Sequence, residues 1–194
     1  GRHFMERIGE LTGGEGEYVL EVGSLTSASH NQWVDSAKAL QEEKFPKMKQ
    51  YGDKIETKDD QSISYEKIKE VLTANPNIAA IQGSAMADVA GAALAVEELG
   101  LAGKVKIVGT SLVSVSGKYV REGTIDMISF WDPALAGKAM IALAQKVLDG
   151  EKIESGLDLG IEGYSNLTLD GKVLTGQAWV DVTKDNVDDP AYNF

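Results

Sequence analysis

Four stretches hold the side chains able to do chemistry. Ser29, His30 and Asn31 stand in GSLTSASHNQWVD, residues 23–35. Ser84 and Met86 stand in QGSAMAD, Ser111 in the hydroxyl-rich GTSLVSVSG, and Trp131 and Asp132 in FWDPAL. Serine beside histidine raises nucleophilic catalysis, which needs a base oriented by a third group. Here the histidine only adjoins Ser29 in sequence, no aspartate is placed to orient it, and no Gly-x-Ser-x-Gly elbow occurs. GGEGE near residue 13 precedes a strand and lacks the Lys-Ser/Thr of a phosphate loop. Cysteine is absent and His3 and His30 are the two histidines, so neither thiolate chemistry nor a multi-histidine metal site is expected, and no cofactor. What remains is hydrogen bonding. Hydroxyls, backbone N–H groups, a flat indole and one acid suit a neutral, hydroxylated ligand, with no chemistry done on it.

Each of these residues also has a plainer role. Ser29-x-x-Gln32 fits a capping box with Ser29 as the N-cap. Asp132-Pro133 is a helix start, with an acid at the cap and proline in the first turn. Ser84 and Ser111 can cap their own helices. Met86 and Trp33 can be core, and His30 sits in a first helical turn, in solvent or in a cleft. The stronger signal is that all four stretches follow apolar strands.

Those strands and the helices between them alternate along the chain. Phe4, Met5, Ile8 and Leu11 form a helical stripe that Gly13-Gly14 stop, and EYVLEV then reads as a strand. A helix follows with Trp33, Val34, Ala37 and Leu40 on one face, then a weak strand at DKIET. SYEKIKEVLTANP is a helix, IAAI a short buried strand, and SAMADVAGAALAVEELG an Ala-rich helix closed by Gly100. KVKIVG is a strand, SGKYVREG a helix, IDMISF a strand and DPALAGKAMIALAQKVLDG a long helix, with strand candidates LTL and QAWVDV near the end. Strands apolar throughout, alternating with helices, predict an α/β fold with a doubly wound, mostly parallel sheet covered on both faces. Ligands bind such sheets at the carboxyl ends of the strands, where the four stretches lie.

The totals agree. A chain of 194 residues, 43% hydrophobic and 25% charged, fits one soluble domain or one domain with an appendage. A net charge of −11 opposes nucleic acid and anionic membranes as partners. The opening GRHFMERIGEL lies already inside an amphipathic helix, so a mature or trimmed piece of a longer protein is expected.

TSASHNQWVDSAK, IAAIQGSAMADVAGAALAVEELG, VKIVGTS, GKYVREGTI, SFWDPALAGKAM and the closing WVDVTKDNVDDPAYNF together resemble the type I periplasmic sugar-binding proteins of ABC importers, in the branch of the rhamnose receptors and the Lsr-type autoinducer receptor. The resemblance covers the whole chain. It implies a sugar-like ligand bound between two lobes, delivery to a membrane permease, and a periplasmic location with a lipoprotein anchor in the full-length parent. It implies that residues 1–126 are the C-terminal lobe, that 127–150 form a hinge strand and helix belonging on an absent N-terminal lobe, and that 151–194 are a return segment and tail. Leu135, Ala139, Ala142, Leu143 and Val147 would then face no native neighbour, and residues 133–149 would drive self-association.

By the same resemblance, Asn31 takes the place of an arginine in the family's first loop. Ser29-His30 stand where the autoinducer receptor has Asp-Gln. Ala85-Met86 replace an Asn-Asp, Ser111 an aspartate, and Trp131-Asp132 occupy the hinge. This departs from the pentose, hexose and autoinducer patterns. Effector-binding cores of sugar-responsive repressors share the fold and form the alternative, but they need an upstream helix-turn-helix.

Overall fold

The computed structural model describes residues 1–192, and the last two residues of the closing stretch lie outside it. It divides into two compact units: Gly1–Ser129 with the chain from Asp181 onward, and Phe130–Val180.

In the first unit, α1 (Arg2–Thr12) buries Phe4, Met5 and Ile8 and ends at Gly13, whose left-handed φ of 70° suits a residue without Cβ. β1 (Glu15–Val22) leads to α2 (Ala28–Lys44), which buries Val34, Ala37 and Leu40. Two short strands, β2 (Lys47–Gln50) and β3 (Ile55–Glu56), precede α3 (Gln61–Ala74). Then come β4 (Ile78–Gly83), α4 (Asp88–Glu98), β5 (Lys106–Thr110), α5 (Val113–Glu122) and β6 (Met127–Phe130).

The sheet order is β2-β1-β4-β5-β6-β9, where β9 is Val180–Val182, and β3 also pairs with β1. Every pairing from β2 through β6 is parallel. The mostly parallel, helix-flanked sheet expected from the sequence is therefore the fold. On one face, Tyr18, Leu20, Val22, Ala80, Val108 and Met127 pack with α1 and α2 into a single core. On the other, α4 comes close. A Cβ on Gly109 would stand 2.7 Å from Val89 Cγ1, and one on Gly83 would stand 2.7 Å from Asp88 Cβ. A Cβ on Gly91 would stand 2.5 Å from the Gln61 carbonyl oxygen of α3. The glycines thus let α4 sit flat between sheet and α3.

The second unit holds α6 (Pro133–Leu148) and a hairpin of β7 (Thr168–Asp170) and β8 (Val173–Thr175). Asp132 caps α6: its Oδ1 accepts the N–H groups of Ala134 at 2.7 Å and Leu135 at 3.1 Å, with Pro133 in the first turn. The helix is apolar on more than the face read from the sequence. Ala139 is buried and Leu135, Ala142 and Leu143 are half-buried, but Val147 is exposed. Met140 and Ile141 are each 73% exposed and Leu148 80% exposed. The open stripe is therefore Met140, Ile141, Val147 and Leu148. Among the described residues no helix is long and apolar enough to cross a membrane.

Three readings of local structure change. β2 was not foreseen, because only Met48 of KMKQ is buried and an edge strand needs no apolar run. β8 was missed because it is a three-residue hairpin partner with little buried. Helix α2 begins two residues earlier than a cap at Ser29 requires: its N-cap is Ser27, which makes no side-chain capping bond.

Candidate functional site

Because β1, β4 and β5 run parallel, the loops that follow them open on one edge of the sheet. The first of these is held from three sides. Asn31 Nδ2 donates to the carbonyl oxygens of Ser27 at 2.8 Å, Leu25 at 3.1 Å and Ser24 at 3.3 Å. Lys54 Nζ donates to Asn31 Oδ1 at 2.8 Å and lies 2.7 Å from Asp35. The Leu25 N–H donates to Glu56 Oε1 at 3.0 Å, and this bond, with Ser24 and Lys58 nearby, holds the Glu56 carboxyl below its usual range. Asn31 is thus spent on shaping its own loop.

His30 has a different position. The Gly23 N–H donates to its Nδ1 at 3.1 Å, so the neutral ring carries its proton on Nε2. The ring tilts over Trp33, with centroids 5.4 Å apart. Trp33 is half-buried in this contact and stands outside the main core cluster. A Cβ on Gly23 would stand 3.0 Å from His30 Cε1 and 3.1 Å from Ala85 Cβ. Gly23 is therefore where the loops after β1 and β4 meet. Ser29 lies exposed in the first turn of α2.

Ser84 is buried and its Oγ has no hydrogen-bond partner among the described residues, while its N–H donates to Asp88 Oδ2 at 3.0 Å. The Ala85 N–H donates to the same oxygen at 2.7 Å. Asp88, and not Ser84, thus ties off this loop. Ser111 does not cap α5, whose N-cap is Leu112. Its Oγ donates to the Met86 carbonyl at 2.8 Å and lies 2.7 Å from Ser116 Oγ, which joins the loops after β4 and β5. Met86 is no core residue, since 44% of it is exposed.

The first unit therefore brings together Ser29, His30, Asn31, Ser84, Met86 and Ser111 at one sheet edge. Trp131 and Asp132 belong to the second unit: Asp132 is committed to capping α6, and Trp131 stands half exposed. The side chains of the six bring hydroxyls, an amide, a thioether and an imidazole, with the charged Lys54 bonded to Asn31 and the Asp88 carboxylate accepting from the Ser84 N–H beside them. No carboxylate hydrogen-bonds to His30 among the described residues, so the Ser-His-acid arrangement of nucleophilic catalysis is not assembled there. Nor do the described residues contain three or more acids and histidines grouped to hold a metal.

Glu21, Asp88 and Gly23 were missed from the sequence. A signal existed for Glu21: in a strand covered on both faces, an acid has no solvent side to turn to.

Comparison with known proteins agrees with this architecture. The structure resembles a sugar ABC transporter protein from Actinomyces odontolyticus, with a TM-score of 0.84 and 22% identity over 99% of this chain and 62% of that one. A solute-binding protein from Clostridium phytofermentas with bound L-rhamnose matches with a TM-score of 0.78 and 21% identity, over 100% of this chain and 64% of that one. GanP, a glucose-galactose binding protein from Geobacillus stearothermophilus, matches at 0.76 and 19% identity, over 97% and 59%. The chain thus spans about six tenths of the length of these proteins. The periplasmic binding protein domain family matches residues 1–152 of the 194. With that match over most of its length, the chain belongs to the periplasmic binding protein domain family.

Proposed function

We propose that this chain is part of the solute-binding component of an ABC importer and that it holds a neutral sugar or sugar-like molecule for delivery to a membrane permease, outside the cytoplasm. The observation that carries the reading is the sheet edge where Ser29, His30, Ser84, Met86 and Ser111 converge, rich in hydroxyls, in a chain of this family. Sugars are recognised by such fixed neutral donors and acceptors set beside apolar surface. The Nε2–H of His30 offers a donor, the Ser84 hydroxyl offers both donor and acceptor, and Ser111 and Asn31 shape the loops. The same groups provide no nucleophile or acid–base pair, and the ligand leaves unchanged.

Calorimetric titration with neutral pentoses, hexoses and 6-deoxyhexoses, against charged sugar acids, tests the reading. Binding by this chain is expected in the millimolar range, because an enclosing site buries most of its ligand and one lobe covers about half. Loss of a few hydrogen bonds of about 1 kcal/mol each then removes orders of magnitude in affinity. Micromolar binding by the chain alone would overturn the one-lobe account, and a preference for charged ligands would overturn the site.

We also propose that the chain pairs with a second copy of itself through α6. A helix apolar on opposite sides needs cover on both. The exposed row of Met140, Ile141, Val147 and Leu148 lies along one helix face and is suited to meeting its own copy about a two-fold axis.

A further inference from the structure

Beneath the loop after β4 lie two acids fully buried in the fold. Glu21, on β1, and Asp88, at the start of α4, are both 0% exposed. Asp88 is well supplied with donors: Thr57 Oγ1 at 2.6 Å on one oxygen, and the Ser84 and Ala85 N–H groups on the other. Glu21 is not. Its Oε1 lies 2.7 Å from Ser64 Oγ, and its Oε2 has no partner among the described residues. No cationic side chain hydrogen-bonds to either acid among the described residues.

The Ser64 hydroxyl decides which acid carries a proton. Its Oγ lies 2.7 Å from Glu21 Oε1 and 2.8 Å from the Asp88 backbone carbonyl. A hydroxyl has one hydrogen, and a carbonyl has none to give. Both contacts are hydrogen bonds only if Ser64 donates to the Asp88 carbonyl and Glu21 donates to Ser64. A neutral Glu21 also leaves Oε2 as a carbonyl-type oxygen. An ionised one would leave a charged oxygen buried without a donor, which is far more costly.

We propose that Glu21 is a protonated positioning residue: its carboxyl proton keeps a second negative charge away from Asp88, which stays ionised and clamps the Ser84–Ala85 backbone of the ligand loop. The inference deepens the reading of that loop as a ligand site and makes the site pH-sensitive. Burial raises the Asp88 carboxyl too, and the Thr57, Ala85 and Ser84 donors oppose it. α4 contributes Asp88 and the turn after β3 contributes Asp59, both negative, while α3 offers the neutral Ser64 and β4 the neutral Gly83. Burial first, and then the Asp88 charge, push the Glu21 carboxyl well above the usual range. Raising the pH removes the Glu21 proton, turns the Ser64 hydroxyl toward the new carboxylate, strips the Asp88 carbonyl of its donor and weakens the clamp.

Infrared difference spectroscopy of the whole chain tests this without any sugar. At neutral pH the wild type is expected to show the C=O stretch of a protonated carboxylic acid. Glu21→Gln, which copies the neutral donor, should lose that band, keep the fold and keep slow amide exchange at Ser84 and Ala85. Asp88→Asn should retain the band and speed exchange at those two amides at least tenfold. A wild type without the band, or exchange at Ser84 and Ala85 unmoved in Asp88→Asn, would overturn the proposal. A sugar titration that failed while these results held would count against the ligand reading alone.

Discussion

The Gly23 N–H donates to His30 Nδ1 across 3.1 Å, from the end of β1 to the first turn of α2. The bond fixes the ring's tautomer and direction together. Nitrogen-detected NMR at neutral pH should therefore show His30 protonated on Nε2 and bare at Nδ1. A ring protonated on Nδ1 would remove the donor assigned to the ligand.

Substituting Gly23→Ala tests the meeting of the two loops. The new methyl would press on His30 and Ala85 at about their contact limit. Overpacking of this kind costs about 1–3 kcal/mol, read as a lower urea midpoint. Sugar binding should weaken along with it, since both loops must part.

Gly91→Ala should be more harmful. Its methyl would stand 2.5 Å from a backbone oxygen of α3, which cannot rotate away as a side chain can. We expect a loss of about 3 kcal/mol, with α4 lifted from α3 and faster exchange at the Asp88 end. An unchanged urea midpoint would show that α3 and α4 separate without cost.

Stability should fall as the pH rises above the unfolded carboxyl value, about 4.3. The sign follows from the Glu21 carboxyl, whose folded value is raised by burial and by Asp88. The folded state keeps a proton that the unfolded chain releases. The stabilisation is complete below the unfolded value, about 4.3, and is lost as the pH climbs through the folded one. Urea titrations across this range check it, and Glu21→Gln should flatten the curve.

Ile141→Glu places a charge on the exposed stripe of α6. Because Ile141 is mostly in solvent, monomer stability should change by no more than about 0.5 kcal/mol. Light scattering should show self-association in the parent chain and not in the variant. A parent chain monomeric at millimolar concentration would refute pairing through α6.

The central strands of the sheet could be read because their residues are largely apolar, and the start of α6 because Asp132-Pro133 is a local signal that local geometry obeys. The common edge for Ser29, Ser84 and Ser111 followed from the same parallel order. What could not be read depends on tertiary neighbours. Asn31 was taken as a ligand group, yet its amide serves three carbonyls of its own loop, a fact set by how that loop folds back. Ser84 and Ser111 were taken as caps or contacts, but Asp88 ties the loop and Ser111 bridges to Met86. The α6 face was misjudged because a helix apolar on several sides gives no single direction in its sequence.

The outer border of the sheet beside β1 is shared by two short strands, β2 and β3, with residues 51–54 interrupting them. A stranger's strand seeking backbone partners there would meet an uneven ladder, broken after four residues and bearing Lys47 and Lys49. Such borders resist fibril-like stacking of one molecule on another. Growth into aggregates from this side is disfavoured.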